Sequence, residues 1–349
     1  KNFPLLVRIH RDYFDFSQAK PRGEDIRFSS QGKPLAYQIE YWDAAAGNAA
    51  IWVRIPTIKG NDQQAIRMHW GHDQTSSESN GEGVFRTTEG FAGVWHLGDN
   101  LEDATSNNLD GFNKPDKPTT NTTGIIGDGQ EFGVNKFLVI RPPGTKPDRR
   151  VSCMPSGNAD RTMSAWVNPS SFEGLNWAQA SIGGWGEPER GQKPGMGLSY
   201  FTLTGRGQPR FHLYGFDPRC AGPLPRGKWR HIALSVSDDM VRFYVDGNLE
   251  QTIDNNGNRV SKLGTLKTPV STPVDLGDHG NGRGPFNGAL DEVRFESAAR
   301  SDNWMKLCFE NQKPLQTLVG PLVQDGNEFS ISHTSLKMKE GESIARSEE

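Results

Sequence analysis

The sequence predicts an all-β protein, with an N-terminal antiparallel β-sandwich followed by a larger β domain and one short C-terminal helix. Three observations carry this. Glycine and proline number 40 and 22 among 349 residues, an excess over ordinary usage that suits many short strands joined by turns. Apolar residues alternate with a period of two in run after run, each bounded by Gly, Pro, Asn or Asp. A helical period is visible only near the C-terminus.

Taken in order, the first strands are read at Phe3 to Ile9, at Ile26 and Phe28, over residues 36–41, at Ile51, Val53 and Ile55, and at Ile66, Met68 and Trp70. Residues 71–90, rich in Ser, Gly, Glu and Thr, are read as the passage to a second domain. A new apolar pattern begins at Phe91, Val94, Trp95 and Leu97, and the polar stretch 99–123 reads as one long surface loop.

Strands are then expected at 130–132, 137–140, 162–168, 196–203 and 210–214. The clearest unit spans 228–251. Ile232, Leu234 and Val236 share a face, Asp238 and Asp239 turn the chain, Val241, Phe243 and Val245 return, and Asp246-Gly247-Asn248 makes a second turn. After a last strand at 288–295, Ser301 caps a helix whose apolar stripe is Trp304, Leu307 and Cys308, with Pro314 just beyond. The expected domains are 1–90 and 91–311, with 312–349 a linker or the opening of a further domain.

Lys and Arg total 39 against 42 Asp and Glu, a net charge of −3. That balance argues against nucleic acid, which needs a basic surplus, and favours a neutral polymer as ligand. Apolar runs such as Ile232-Ala233-Leu234 are far shorter than the roughly 18 residues of a membrane span, so no membrane insertion is expected. Lys1 runs directly into a strand, which suggests a piece from which an export signal has been removed. Cys153, Cys220 and Cys308 are widely spaced with no CxxC, leaving one disulfide plus a thiol, or three thiols, equally open.

Three segments carry a resemblance to LamG-type concanavalin A-like jelly rolls. FAGVWHLG (91–98) with DATSNNLDG (103–111) resembles the opening of that fold, and TMSAWVNP (162–169) its central strand. GKWRHIAL (227–234), VRFYVDGN (241–248) and FNGALDEVR (286–294) resemble its later hairpin and closing strand. Upstream, DIRF (25–28), LAYQIE (35–40) and IWVRIP (51–56) resemble DUF2341, a bacterial domain of unknown function that accompanies this jelly roll in secreted multidomain proteins. The resemblance implies an exported bacterial protein, whether secreted, on the cell surface or periplasmic.

No catalytic constellation is legible. A retaining glycosidase on this fold needs two carboxyl groups about 5 to 5.5 Å apart. In the acid-rich run 290–296, alternation sets Asp291 with Val293 and Phe295, and places Arg294 between Glu292 and Glu296. There is no GxSxG elbow, HExxH or P-loop either. For a cation, Asp103, Asn107, Asn108 and Asp110 gather hard oxygen ligands in one loop, as calcium requires. The resemblance implies a structural Ca2+ held between this loop and the closing strand, so the candidate metal ligands are Asp103, Asn108 and Asp291. The alternative is that Asp103 and Asn107 are Asx-turn residues and that Asp291 is hydrogen-bonded to backbone.

For ligand binding, Trp177 and Trp185 lie in an aromatic, polar and glycine-rich stretch over 170–197, the mixture a sugar site uses. Arg210, His212 and Tyr214 on neighbouring strands would extend it. The expected function is a non-catalytic module that binds a glycan or polysaccharide or mediates adhesion, alongside further domains of the same chain. Two alternatives stand: the accessory region of a larger carbohydrate-active hydrolase, such as a sialate O-acetylesterase-like enzyme, with its active site elsewhere; or a structural protein-binding module of an envelope assembly.

Overall fold

A computed structural model of the chain describes residues 1–331 apart from 61, 147–149, 173–178, 188–196, 214–215, 261, 280–283, 321 and 326–327; at 179, 322–325 and 328–331 only the backbone is described. The chain divides into two compact units, one of residues 1–89 with 310–349 and one of residues 90–309.

The first unit holds two antiparallel sheets. In one, Phe3–His10 pairs with Asn48–Ile55, which pairs with Tyr37–Asp43. The run from Phe3 to Val7 is buried on both faces, so simple alternation understates its coverage. The second sheet joins Arg27–Ser30, Lys33–Leu35 and Ile66–His69 to a hairpin of Leu322–Asp325 and Glu328–Ile331.

Two sequence expectations change here. The passage 71–90 contains a helical turn, Gly81–Val84, capped by the Asn80 side chain. It delivers Val84 and Phe85 to the core, with Phe85 edge-on to Trp52 at 5.7 Å. Its polar composition hid a single apolar pair. The chain beyond residue 312, expected as a linker or further domain, instead returns to this unit through the 322–331 hairpin. The buried side chain of Asn311 accepts from the Leu6 amide (2.7 Å) and donates to the Leu6 carbonyl (3.1 Å). The Arg8 guanidinium reaches the carbonyls of Asn311, Gln312 and Lys313. Asn311 thereby satisfies the Leu6 N–H and C=O on a sheet edge that would otherwise leave them unpaired.

The second unit is a sandwich of two eight-stranded antiparallel sheets. One runs in the order Asn248–Glu250, Met240–Val245, Arg230–Ser237, Arg161–Ser171, Asn287–Glu296, Asp128–Phe132 and Thr120–Thr123, with Phe91–Trp95 also on Asn287–Glu296. The other runs Thr252–Ile253, Arg219–Cys220, Pro209–His212, Leu198–Thr204, Gln179–Gly186, Val274–Leu276, Leu138–Arg141 and Asp110–Asn113. Between them lies one core, in which Trp95 and Trp185 flank Phe295 at 5.3 and 5.2 Å.

The expected hairpin forms with Ile232 opposite Val245, Leu234 opposite Phe243 and Val236 opposite Val241. Asp238 and Asp239 both take positive φ, 48° and 62°, the conformation that a two-residue turn between twisted strands demands. The expected loop 99–123 contains two polar edge strands, Asp110–Asn113 and Thr120–Thr123, too poor in apolar residues to show a period. The C-terminal helix is Asp302–Gln312, with the Ser301 hydroxyl accepting from Trp304 N. Met305 packs on Ala233 and Tyr244, and the Tyr244 hydroxyl donates to Asp302.

Candidate functional site

Bulges decide which residues of the second unit face outward. In Gln179–Gly186, Ser181 sits opposite Thr202 and Gly183 opposite Phe201, which leaves Ile182 as the extra residue. A bulge of this kind shifts every later side chain to the other face. Strict alternation from Ile182 would turn Trp185 outward; the bulge turns it in. Trp185 is 0% exposed, its indole N–H donates to the Pro155 carbonyl at 2.9 Å, and its ring packs on Phe295. The expectation that Trp185 contacts a ligand is thus corrected: it is a core residue. Trp177 and Tyr214 lie outside the described residues.

Arg210 and His212 do come together, on the outer face of the second sheet. Residues directly opposite on neighbouring strands share a face, and the pairings Ser181–Thr202, Thr202–Arg210 and Arg210–Arg219 form one cross-strand row. Beside it runs a second row through Phe112, Val139, Asp275, Gly184, Tyr200 and His212. Gly184 has no room for a side chain: a Cβ there would lie 2.6 Å from the Tyr200 Cα.

Hydrogen bonds organise part of this face. His212 Nδ1 meets Asp217 Oδ2 at 2.9 Å, and the other Asp217 oxygen accepts from Leu213 N at 2.8 Å. Burial pulls the Asp217 pKa up, but the hydrogen bond and charge of His212, the Leu213 amide and Arg210 outweigh it and hold the carboxyl below its ordinary value. Arg210 Nε donates to the Thr202 hydroxyl at 3.2 Å. The Tyr200 hydroxyl lies 3.4 Å from Asp275, and its ring centroid lies 4.4 Å from that of His279, the two rings tilted by 55°. Burial, and then the charge of Asp278, push Asp275 up to about 7.

Three polar atoms of the first row are buried without a hydrogen-bond partner: the Ser181 hydroxyl, Nη2 of Arg210 and Nε of Arg219. Ser181 is fully buried, and the Arg210 side chain is 13% exposed. Unsatisfied buried groups are rare and call for an explanation, a bound ligand or water among them. Sequence reading missed Ser181, Tyr200, Thr202, Arg219, Asp217 and Asp275. Alternation in the run 198–204 marks Tyr200 and Thr202 as sharing a face; nothing local marks the others.

The expected calcium ligands do not form a set. Asp103 accepts from the amides of Val94, Thr105 and Leu109 and from the Thr105 hydroxyl, all at 2.8 to 3.0 Å. A carboxylate offers about four lone-pair sites, so none is left for a cation. Burial raises the Asp103 pKa to about 6 despite these donors. Asn108 is exposed with φ of 52°, a turn residue. Asp291 accepts from Ile125 N (2.6 Å) and Ile126 N (3.0 Å) with one oxygen, while the other is buried without a partner. Among the described residues, Asp103 and Asp291 fall in no group of three His, Cys, Asp or Glu side chains close enough to share an ion. Asp103 and Asp291 both accept from backbone amides, as the alternative expects, and the Asn107 side chain donates to the Ala92 carbonyl at 2.8 Å.

The closing strand also departs from simple alternation. Asp291 stands opposite Trp166 and Arg294 opposite Ser164, with Glu292 in a bulge at φ of 52°. Asp291 therefore leaves the core face of Val293 and Phe295. Glu292 is bonded to His96 and to Arg294 Nη2 (2.5 Å), and Glu296 to Arg300. Each of these two acids is neutralised by a neighbouring cation.

With this geometry in hand, the chain can be set beside known proteins. Residues 22–98 match the domain of unknown function DUF2341, and residues 147–305 match the concanavalin A-like lectin/glucanases superfamily. The chain carries a DUF2341 domain followed by a concanavalin A-like domain. No curated protein matches it.

Solved structures that resemble the chain include domain 4 of AbnA, a GH43 extracellular arabinanase from Geobacillus stearothermophilus in complex with arabinotriose. It is 18% identical with a TM-score of 0.46, over 62% of this chain and 97% of that one. The binding domain of Paraclostridial Mosquitocidal Protein 1 is 12% identical with a TM-score of 0.45, over 67% of this chain and 57% of that one. A Trypanosoma rangeli sialidase in complex with 2,3-difluorosialic acid is 14% identical with a TM-score of 0.43, over 80% and 45%. The chain thus spans about half the length of the latter two. The site rows belong to the second sheet of the concanavalin A-like domain, and among the described residues no helix is long and apolar enough to cross a membrane.

Proposed function

We propose that the concanavalin A-like domain is a non-catalytic carbohydrate-binding module of an exported bacterial multidomain protein. Its ligand site is the Arg210–Arg219 end of the sheet's outer face, where these two side chains are part-exposed while Ser181 and Thr202 of the same row are fully buried. The observation that supports this best is the row of buried hydrogen-bonding groups without partners, set beside the Tyr200 ring and the His212–Asp217 pair. A saccharide supplies many hydroxyl oxygens to such groups and an apolar C–H face to an aromatic ring. The match of residues 147–305 to the concanavalin A-like lectin/glucanases superfamily adds support.

Glycan-array binding of the intact chain tests this. The expected result is a saturable signal that falls about tenfold or more in Arg210→Ala, as loss of one or two charge-assisted hydrogen bonds implies, while Trp185→Ala acts on stability. No signal on a broad array, or a signal unchanged by Arg210→Ala in a folded protein, refutes the assignment.

A further inference from the structure

The same row bears on the charge of the ligand, a step that rests on the carbohydrate reading above. We infer that the ligand is an acidic saccharide whose carboxylate is received by Arg210 and Arg219. The groups left without partners in the row comprise two guanidinium N–H groups and a hydroxyl. Guanidinium nitrogens donate only, so the ligand must bring acceptor oxygens to them. A sugar hydroxyl both accepts and donates, and its own proton would need an acceptor in turn. A carboxylate accepts only, and its plane matches the guanidinium fork.

The count of charges points the same way. Arg210 and Arg219 stand directly opposite each other. Arg210 has a carboxylate neighbour in Asp217, but at 3.9 Å, and that carboxylate is already committed to His212 and the Leu213 amide. Arg219 donates to the side chain and carbonyl of Asn255, which are neutral acceptors. Among the described residues, Asp217 is thus the one carboxylate within 4 Å of either guanidinium. Burial depresses the Arg210 pKa and Arg219 adds to this, against the opposing charge of Asp217, and an incoming anion would offset the cost. The acid of the neighbouring row, Asp275, is three strands from Arg210, about 14 Å at the usual ~4.8 Å spacing, too far to form an ion pair with it.

The test is calorimetric titration of the intact chain with oligogalacturonate, oligomannuronate and a hyaluronan oligosaccharide, and with cellohexaose and arabinotriose as neutral probes. At least one acidic probe is expected to bind. Methyl esterification of its carboxylates should weaken it about tenfold or more, as should a rise in NaCl from about 0.05 to about 0.5 M. Arg210→Gln and Arg219→Gln should each weaken it by a similar factor, with unfolding curves reporting whether each variant folds. Binding of a neutral probe that Arg210→Gln abolishes, with no preference for the acidic ones, overturns the charge inference and leaves the site assignment standing. Acidic binding indifferent to both arginine variants and to salt also overturns it. No binding of any probe, acidic or neutral, removes the carbohydrate reading with it.

Discussion

Asp275 supplies a test that needs no ligand. Its carboxyl is almost fully buried, beside Tyr200 and near Asp278, and burial raises its pKa from 3.8 to about 7. A carboxyl whose folded pKa exceeds its unfolded value holds its proton more tightly when folded. The folded state therefore loses stability as pH rises from about 4 to about 7, and the loss is complete above that window. At about 1.36 kcal/mol per unit, the shift corresponds to roughly 4 kcal/mol. Asp275→Asn keeps an acceptor for the Tyr200 hydroxyl and removes the ionisation. Urea unfolding of both proteins at about pH 4 and about pH 8 should show the variant gaining on the parent by some 2 to 4 kcal/mol across the interval. A difference constant to about 0.5 kcal/mol would mean that Asp275 titrates normally and is open to water, and the account of this face as a desolvated polar surface would fail.

Other outcomes follow from the same contacts. Trp185→Ala should cost about 3 to 5 kcal/mol in the concanavalin A-like domain, the usual cost of emptying a large buried side chain; a loss under about 1 kcal/mol would place the indole at the surface. Asn311→Ala leaves both polar groups of Leu6 unsatisfied and should cost about 1 to 3 kcal/mol in the first unit, read by hydrogen exchange at Leu6 as well as by denaturation. With every acceptor site of Asp103 occupied, millimolar calcium or EDTA should move the melting temperature by no more than about a degree; a rise of several degrees with calcium, abolished in Asp291→Asn, would establish a cation at the free Asp291 oxygen.

The strands were legible in the sequence wherever alternation and turn chemistry agreed. The hairpin at 230–245 is the clearest case, because Asp238 and Asp239 tolerate the positive φ that its two-residue turn requires. The first-unit strands and the C-terminal helix cap were legible for similar reasons. The edge strands Asp110–Asn113 and Thr120–Thr123 were not, since an edge with little burial needs no apolar period. Nor was the return of the chain at 311–331 to the first unit. That return depends on contacts some 300 residues apart, such as Asn311 with Leu6, which no local pattern encodes.

The candidate site was half legible, and the bulges explain why. Arg210 and His212 are two apart on an unbroken strand, so period-two reasoning places them on one face, and the structure does the same. Trp185 lies three residues after an extra residue and Asp291 immediately before one, where the same reasoning returns the wrong face. At Glu292 the extra residue sits at positive φ without being glycine, so composition gives no warning. At Ile182 the bulge is followed by Gly183 and Gly184, and close packing at both positions requires glycine: a Cβ would meet Leu276 at 2.6 Å in one case and Tyr200 in the other. A paired glycine inside a strand is thus the local signal that could have moved Trp185 from the ligand to the core. It also identifies Gly184 as the place where the backbone yields room for Tyr200, linking the displaced tryptophan and the polar outer face to one irregularity in a single strand.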